Sequence, residues 1–406
     1  MNLPQRATLA LVAALSIAPG PAAAQDTAQD MAQDTVPCGG SFSDFLDQAR
    51  AESMAKGHDR ATVDAFFQGI RHDPRTLAAD QAQGVFQMPF VDFARHLISQ
   101  NRIDNGRANL NKYASVFDRV RDEYGVSPGV LLAFWALETD FGAVQGDYNT
   151  VNSLATLAHD CRRPGLFRPQ LFAAVELFEK GGLDPATTTG AWAGEIGMVQ
   201  MLPQDILSNG VDGDGDGQVT LKTSAPDALL SGASMLKSLG WRANEPWLQE
   251  ITLPATFDWA QTGLNHRRPV AGWKALGVAA RTGDLAGDDL SASVLLPQGR
   301  NGPAFLAYPN FDVYFEWNQS FIYVTTAAYF GTRLEGAPVF DAGRPDTGLS
   351  GDQMKALQTA LVARGYDVGG IDGILGEKTR EAVQAEQQRL GMPADAWPTP
   401  DLLARL

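Results

Sequence analysis

A glutamate at the end of a fully apolar helix is the residue of this sequence best suited to acid catalysis. Every residue from Val130 to Leu137 is apolar, and Glu138 follows directly. A helix that is apolar on all sides is a buried one. Burial and the negative end of the helix dipole both disfavour the charged form of a carboxyl. We therefore expect a raised pKa for Glu138, which is what a glycosidase general acid requires.

The helix that must position this carboxyl is framed at both ends. Ser127 is a suitable N-cap, Pro128 suits the first helical position, and Gly142 favours termination. Considered alone, a glutamate at a helix end is more often a solvated boundary residue. That alternative stays open on this segment by itself.

A second stretch, residues 190–203, has the composition of a ligand-binding loop. Three glycines accompany Trp192 and Gln200. Glycine lets a backbone approach a ligand closely, and the tryptophan offers an aromatic face to a sugar ring. Glu195 in this stretch is a candidate second carboxylate, but we interpret it as structural. A two-carboxylate hydrolase would need it about 5 to 9 Å from the first acid.

Together these motifs resemble the B-type lytic murein transglycosylases, glycoside hydrolase family 103. The resemblance rests on residues 133–142, 146–148, 153–158 and the stretch 190–203. It implies a mainly helical, lysozyme-like α+β catalytic domain with a small β lobe. It also implies that Glu138 is the single catalytic acid/base and that Gln200 lines the cleft.

Residues 310–323 are similar to the family's third cleft segment. The resemblance implies that Trp317, Asn318 and Tyr323 face the substrate. Without the family, the same residues would be interpreted as an aromatic-rich core helix. The sequence departs from the family pattern at Ala191, Met198 and Phe93.

An acidic loop gives the clearest metal signal. Carboxylates at loop positions one, three and five, a glycine at six and an apolar residue at eight match an EF-hand, whose oxygen ligands suit Ca²⁺. Thr223 occupies position twelve, and the resemblance implies that a later aspartate completes the shell. The predicted ligands are Asp212, Asp214, Asp216, Gln218 and Asp227. A solvated acidic turn is the alternative.

The ends of the chain predict export and a second domain. Arg6, the apolar run 8–18 and the alanines at 22–24 are typical of a signal peptide over residues 1–24. Residues 25–39 form a polar, disordered lead-in. The catalytic domain is predicted over 40–335 with its EF-hand-like loop at 212–223, and a linker over 336–348.

Residues 349–406 resemble a small helical peptidoglycan-binding module. The pieces that carry the resemblance are Gly365-Tyr366, Asp372-Gly373, Leu375-Gly376 and Thr379, in that order. Two cell-wall resemblances in one exported chain support each other.

Cys38 and Cys161 are the two cysteines of the sequence. In an oxidising compartment an even count favours a disulfide. The bridge would close a loop of roughly 120 residues and stabilise the fold by about 4 to 5 kcal/mol in the chain-entropy model. Two buried thiols, or a reactive one, are the alternatives.

The net charge of −15 argues against nucleic acid or an anionic membrane as partner, because both favour basic proteins.

Residues 106–124 are predicted to form one helix.

We expect a soluble, periplasmic monomer without a membrane anchor, with structural Ca²⁺ and no organic cofactor. Its partner would be the glycan strands of peptidoglycan.

The predicted activity is lytic transglycosylation: cleavage of the β-1,4 bond between N-acetylmuramic acid and N-acetylglucosamine, with a 1,6-anhydro product. One alternative is a hydrolytic muramidase that pairs Glu138 with Glu195 or Asp147. The other is a wall-binding protein without activity.

Overall fold

The computed structural model describes residues 36–81 and 88–406, and their packing forms two units. The first unit contains residues 36–81, 113–120 and 134–238, and the second contains 88–112, 121–133 and 239–406. The predicted signal peptide and residues 25–35 of the predicted lead-in lie outside the described residues. Within 36–81 and 88–406, no helix is both long enough and apolar enough to cross a membrane.

Helices dominate the described chain up to residue 238. Local side chains fix their first turns: the Ser41 hydroxyl accepts a hydrogen bond from the Asp44 amide at 3.1 Å, and the Asp59 carboxylate accepts one from the Thr62 amide at 3.0 Å. The helices are α1 (Phe42–Ala55), α2 (Arg60–Phe67), α3 (Pro74–Gln81), α4 (Phe90–Leu97), α5 (Gln100–Lys112), α6 (Ala114–Tyr124), α7 (Pro128–Thr139), α8 (Thr150–His159), α9 (Pro164–Glu179), α10 (Pro203–Asn209) and α11 (Ala225–Ser238).

The prediction of one helix over residues 106–124 is wrong, because α5 and α6 are separated at Tyr113. The Tyr113 carbonyl accepts hydrogen bonds from the amides of both Val116 and Phe117, at 2.9 and 3.0 Å. The hydrogen bond from the Val116 amide to the Tyr113 carbonyl has the i to i+3 spacing of a 3₁₀ turn, which winds the chain more tightly than an α-helix.

Two short strands of the first unit pair in antiparallel register. β1 (Tyr148–Asn149) lies against β2 (Thr189–Gly190), with Tyr148 opposite Gly190. A Cβ atom at Gly146 would lie 2.0 Å from the Gly190 carbonyl oxygen. Glycine is therefore required at Gly146, because any side chain there would separate the two segments.

A disulfide joins Cys38 to Cys161, with their Cα atoms 5.2 Å apart. The Gly39 amide also donates a hydrogen bond to the His159 carbonyl at 2.8 Å. Together they fasten the start of the described chain to the end of α8.

The second unit contains an antiparallel sheet, which we call the β lobe (residues 248–307). Its strand order is β4-β6-β7-β3-β5, and one side packs on a core that includes Trp273, Val294 and Leu306. Its elements are β3 (Leu248–Thr252), a 3₁₀ turn (Trp259–Gln261), β4 (Arg267–Pro269), α12 (Val270–Ala275), β5 (Ala279–Ala280), β6 (Ser291–Leu295) and β7 (Phe305–Ala307).

Two helices follow the β lobe, α13 (Pro309–Trp317) and α14 (Phe321–Leu334). The C-terminal module then has α15 (Gly351–Val362), α16 (Glu377–Arg389) and α17 (Pro400–Leu403), which enclose their own core around Leu357, Leu361, Val383 and Leu402. The predicted fold class, a mainly helical α+β lysozyme-like domain with a small helical C-terminal domain, is confirmed.

The C-terminal module packs directly on the β lobe of the same unit. The Gln384 amide donates hydrogen bonds to the carbonyls of Thr262 at 2.9 Å and Trp259 at 3.2 Å. The Arg380 guanidinium donates to the Pro297 carbonyl at 2.8 Å. These bonds fix the module to the lobe through the side chains of α16.

The segment before the C-terminal module, predicted as a linker over 336–348, is also held. The Arg344 amide donates to the Asn301 carbonyl at 2.7 Å, and the Trp397 indole donates to the Asp346 carbonyl at 2.9 Å. This segment contains no helix or strand. It nevertheless packs against both the lobe and the module.

Candidate active site

Glu138 lies in the last turn of α7, as predicted, and is 6% exposed. The apolar residues before it are all buried. The helix stops because Asp140, Phe141 and Gly142 adopt positive φ angles of 51°, 60° and 87°, a conformation that ends helical hydrogen bonding. The otherwise apolar helix α7 thus places the Glu138 carboxyl in the interior of the first unit.

Thr139 ties the end of this helix to the second predicted segment. Its hydroxyl donates a hydrogen bond to the Met198 carbonyl at 2.6 Å and accepts one from the Gly142 amide at 2.9 Å. This role of Thr139 was not predicted from the sequence. Two residues 59 positions apart carry no local pattern that would reveal it.

Residues 190–201, which we call the Gln200 segment, form a compact loop. The amide of Ala191 donates to the Glu195 carbonyl at 3.0 Å, and Ile196 and Met201 exchange two backbone hydrogen bonds at 2.8 and 3.1 Å. Gln200 itself has a positive φ of 54°. The loop is therefore fixed by its own backbone.

The glycines of the Gln200 segment were expected to let the backbone approach a ligand, but they pack against protein. A Cβ atom at Gly194 would lie 2.4 Å from Leu154, and one at Gly197 would lie 2.5 Å from Leu221. At Gly190 it would lie 1.9 Å from a carbonyl oxygen of the same segment. Their absent side chains make room for α8 and for the end of the acidic loop.

Gln200 is buried and holds neighbouring backbone. Its amide donates to the Gly197 carbonyl at 2.8 Å and to the Gln145 carbonyl at 3.4 Å. Gln145 in turn donates to the carbonyls of Gly142 at 3.1 Å and Lys222 at 3.0 Å. The contacts of Gln145 were also not predicted from the sequence. Contact between Gln200 and a glycan stays a prediction.

Glu195 is the second carboxyl of this region. It is 1% exposed, and within the described residues its carboxyl forms no ion pair and no hydrogen bond with another side chain. The backbone amides of Glu195 and Ala193 favour its charged form. Burial, with a smaller contribution from the charge of Glu138, raises the pKa of Glu195 to about 8. Glu195 is therefore a neutral acid near neutral pH.

The predicted sugar-contacting residues are buried in both units. Trp192 belongs to the first unit, whereas Trp317, Asn318 and Tyr323 belong to the second. The Asn318 side chain accepts a hydrogen bond from the Ser320 amide at 2.9 Å, between α13 and α14. Stacking on a sugar needs an exposed ring face, and Trp317 is only 2% exposed. These roles stay predictions.

The acidic loop brings three of its predicted ligands together. Asp212, Asp214 and Asp227 each offer a carboxylate oxygen, and these oxygens lie within 4.8 Å of one another. Asp216 is not a member of this group; its carboxylate accepts the Gln218 amide at 2.8 Å. The arrangement suits a hard cation, which prefers several oxygen ligands.

The loop is shaped by the carboxylates themselves. Asp212 accepts the amides of Gly215 and Gly217 at 2.7 and 2.8 Å. Asp227 is fully buried and accepts the amides of Gly213 and Thr220 at 2.9 and 2.7 Å. Asp227 lies four residues beyond loop position twelve, so it takes the place that the sequence assigned to a later aspartate.

The end of the acidic loop is hydrogen-bonded to the Gln200 segment and to Gln145. The Met198 amide donates to the Leu221 carbonyl at 2.9 Å, and the Lys222 carbonyl accepts from Gln145. The loop and the Gln200 segment therefore share backbone contacts.

Residues 41–332 match the transglycosylase SLT domain family. The chain belongs to this family. Residues 350–406 match a peptidoglycan binding domain. The predicted family is confirmed, and the homologous lytic transglycosylases indicate a peptidoglycan-cleaving lyase.

The structural relatives support this membership. Crystal structures of SltB3 from Pseudomonas aeruginosa, in complex with NAG-anhNAM-pentapeptide and with NAG-NAM-pentapeptide, are 37% identical to this chain, with a TM-score of 0.83. Each alignment covers 90% of this chain. It covers 99% of SltB3 in the first complex and 100% in the second. The Escherichia coli lytic transglycosylase Slt35 in complex with calcium shares the fold, with 23% identity and a TM-score of 0.63 over 75% of this chain and 97% of Slt35.

A curated relative is the membrane-bound lytic murein transglycosylase B of Escherichia coli (strain K12). It is 29% identical over 153 residues, which cover 37% of this chain and 42% of that protein. The match thus spans less than half of that relative's length.

Proposed function

We propose that the protein is a lytic transglycosylase that cleaves the β-1,4 bond between N-acetylmuramic acid and N-acetylglucosamine in peptidoglycan, with Glu138 as its only acid/base. The observation that carries the proposal is the Glu138 carboxyl, buried at the end of an apolar helix within the family's domain. A relative of 37% identity binds a fragment that contains an anhydro sugar.

Glu138 acts twice in the proposed reaction. Its protonated carboxyl gives a proton to the oxygen that links the two sugars, and the bond from that oxygen to C1 of the muramic acid breaks. The resulting carboxylate takes the proton of the C6 hydroxyl, and the C6 oxygen bonds to C1. The attack is intramolecular, so neither water nor an enzyme nucleophile is needed.

The environment of the other acids favours this reaction over hydrolysis. A muramidase would need a charged base to activate water, but the raised pKa of Glu195 keeps its carboxyl neutral at pH 7. Asp147, the other acid considered, is exposed and paired with Arg75 at 3.3 Å. Neither residue has the properties of a second catalytic base.

The experiment that tests the proposal is digestion of purified sacculi by the mature protein and by Glu138→Gln, with mass spectrometry of the soluble products. We expect anhydromuropeptides from the wild type and release that is about 10²- to 10⁴-fold slower from Glu138→Gln, which keeps the shape but has no acidic proton. Products heavier by one water would identify a hydrolase. Binding without release would identify a wall-binding protein.

We further propose that the acidic loop holds Ca²⁺ as a structural ion. Asp212, Asp214 and Asp227 supply clustered oxygens, and Asp216 and Gln218 are the remaining candidate ligands. Bound Ca²⁺ would neutralise the repulsion between these carboxylates. Support also comes from a protein of the same fold whose structure contains calcium. No organic cofactor is required by the proposed reaction.

The proposed setting is the periplasm, with the glycan strands of peptidoglycan as partner and residues 349–406 as the wall-binding module. The match of residues 350–406 to a peptidoglycan binding domain supports this assignment. The predicted signal peptide supports export. We propose a monomer without a membrane anchor, and the acidic net charge of −15 disfavours nucleic acid.

A further inference from the structure

Gln145 joins three segments of the first unit, and the proposed reaction gives it no role. Its side-chain nitrogen donates hydrogen bonds to the carbonyl of Gly142 at 3.1 Å and to that of Lys222 at 3.0 Å. Its backbone carbonyl accepts the Gln200 side-chain amide at 3.4 Å. One residue therefore contacts the chain that ends α7, the end of the acidic loop and the Gln200 segment.

The two donated bonds account for the residue type at this position. A glutamine amide nitrogen has two N–H donors, and each is bonded to a carbonyl oxygen here. A glutamate would place a carboxylate oxygen against both carbonyls, and a methionine of similar length would offer no donor. The position therefore needs the amide, and a side chain that only fills the space does not replace it.

The backbone around Gln145 is held on both sides. The Val144 amide donates to the Thr139 carbonyl at 2.9 Å. On the other side, a Cβ atom at Gly146 would lie 2.0 Å from the Gly190 carbonyl oxygen, so the two backbones are in close contact. Because its own backbone is held, the bonds of the Gln145 side chain fix the distance between the groups that they join.

Gln145 also closes a ring of hydrogen bonds. The Thr139 hydroxyl donates to the Met198 carbonyl at 2.6 Å and accepts the Gly142 amide at 2.9 Å. The Met198 amide donates to the Leu221 carbonyl of the acidic loop at 2.9 Å. The ring thus runs from the end of α7 through the Gln200 segment and the acidic loop, and it returns to α7 through Gln145.

We propose that Gln145 is a positioning residue for the catalytic acid: through this ring it fixes the end of α7, which carries Glu138, relative to the Gln200 segment. The inference rests on the proposed function, in which Glu138 protonates the oxygen between the sugars. Gln145 acts through the backbone of Gly142 and Lys222, and the proposal gives it no contact with substrate.

The expected kinetic effect follows from the difference between proton transfer and binding. A misplacement of about 1 Å in the reacting groups can slow catalysis by about 10²-fold. Binding of a glycan strand is spread over many contacts and is less sensitive to the position of one carboxyl. Opening the ring should therefore lower kcat more than it raises KM.

The decisive measurement is steady-state kinetics of wild type and Gln145→Met on soluble, uncrosslinked glycan strands, well below both melting temperatures. We expect kcat to fall by about tenfold and KM to change by less than about threefold. Gln145→Glu, which sets an oxygen against each carbonyl, should lose at least as much kcat. An unchanged kcat, or a KM that rises as much as kcat falls, would overturn the proposal.

Gln170→Met is the matched control. Gln170 is a buried glutamine of the same unit that joins α9 to α10: it accepts the Gln204 backbone amide at 2.9 Å and donates to the Gln204 side chain at 3.5 Å. Its replacement should lower the melting temperature but leave kcat within about twofold of wild type. A loss of kcat equal to that of Gln145→Met would indicate a general effect of removing an amide and would also overturn the proposal.

A second measurement requires no turnover. The Met198 amide, which is bonded to Leu221 within the ring, should exchange its hydrogen about tenfold faster in Gln145→Met than in wild type and at the wild-type rate in Gln170→Met. Equal exchange in all three proteins would show that the ring stays closed without Gln145 and would overturn the proposal. Absence of product from wild type would instead contradict the proposed function, which the exchange experiment does not test.

Discussion

Glu195 of the Gln200 segment and Glu386 of the C-terminal module are equally buried, at 1% and 0% exposure, but their surroundings are opposite. Glu386 accepts hydrogen bonds from the Arg389 guanidinium at 2.7 and 2.8 Å and from the Tyr366 hydroxyl at 3.1 Å, and it pairs with Arg364 at 3.3 Å. These partners, Arg389 first, lower the pKa of Glu386, whereas burial raises that of Glu195.

The difference separates two uses of a buried acid. In the module, cations and a hydroxyl compensate the charge, so the carboxylate contributes to stability. In the Gln200 segment burial outweighs the backbone amides of Glu195 and Ala193 and the charge of Arg163, so the carboxyl is held neutral at a cost in stability. Acids with a strongly raised pKa are characteristic of functional sites.

The replacement expected to have the largest effect is Glu195→Gln, which should change the stability of the protein at alkaline pH. The folded pKa of Glu195, about 8, lies above the value of about 4.3 in an unfolded chain. The folded state therefore binds the proton more tightly, and stability falls as the pH rises between these values. At pH 9, Glu195→Gln should raise the free energy of unfolding by about 5 kcal/mol, which is the interval between the two pKa values at about 1.4 kcal/mol per pH unit.

Urea unfolding followed by tryptophan fluorescence at pH 9 and at pH 4 measures this gain. The gain should be absent at pH 4, where both the folded and unfolded states of the wild type hold the proton. If Glu195→Gln has no higher free energy of unfolding than the wild type at pH 9, the Glu195 carboxylate is compensated in the folded state, as that of Glu386 is.

Glu386→Gln should lower the free energy of unfolding, and by less than Glu195→Gln raises it. The pKa of Glu386 is lowered by its partners, so its contribution is present above the unfolded value of about 4.3 and is lost as the pH falls through the folded pKa. We expect a loss of about 2 kcal/mol at pH 7 and a smaller loss at pH 3. Differential scanning calorimetry at both pH values measures it.

Asp401→Asn is the control for Glu386→Gln, because Asp401 forms an exposed ion pair with Arg405 in the same module. Its replacement should change stability by less than about 0.5 kcal/mol. An equal loss from both variants would contradict a special role for the buried acid.

A third buried carboxylate, that of Asp227, is compensated to an intermediate degree. It accepts hydrogen bonds from backbone amides, and a bound cation would compensate its remaining charge. Free Ca²⁺ at ten times its dissociation constant should stabilise the protein by about 1.4 kcal/mol. The melting temperature with and without chelator measures this gain. Asp227→Asn should remove most of the gain and the exposed Asp64→Asn should retain it. Equal gains in both variants would place the ion elsewhere.

Local signals explain how much of the fold and site could be predicted. Helix α7 and its terminal glutamate followed from Ser127, Pro128 and an unbroken apolar run, which act over a few neighbouring residues. The acidic loop followed from a fixed spacing of aspartates. Family membership followed from short motifs that stay together in the sequence.

The unpredicted features depend on distant contacts. Glu195 was interpreted as structural because its relation to Glu138, 57 positions earlier, arises only when the Gln200 segment folds on the end of α7. The glycines of that segment were assigned to a ligand because their sequence does not reveal that Leu154 and Leu221 occupy the space. Thr139 and Gln145 were missed for the same reason.

The hydrogen bonds of Gln384 and Arg380 to the β lobe have a consequence for the ancestry of the chain. A domain joined by a free tether can be exchanged by recombination, because nothing else in the protein recognises it. Here a foreign module would leave the Pro297 carbonyl without the Arg380 guanidinium and the Thr262 carbonyl without the Gln384 amide, with only His266 of the lobe as its partner. Exchange would therefore require compensating changes in the lobe, so the two domains are expected to have been inherited and to have diverged as a pair.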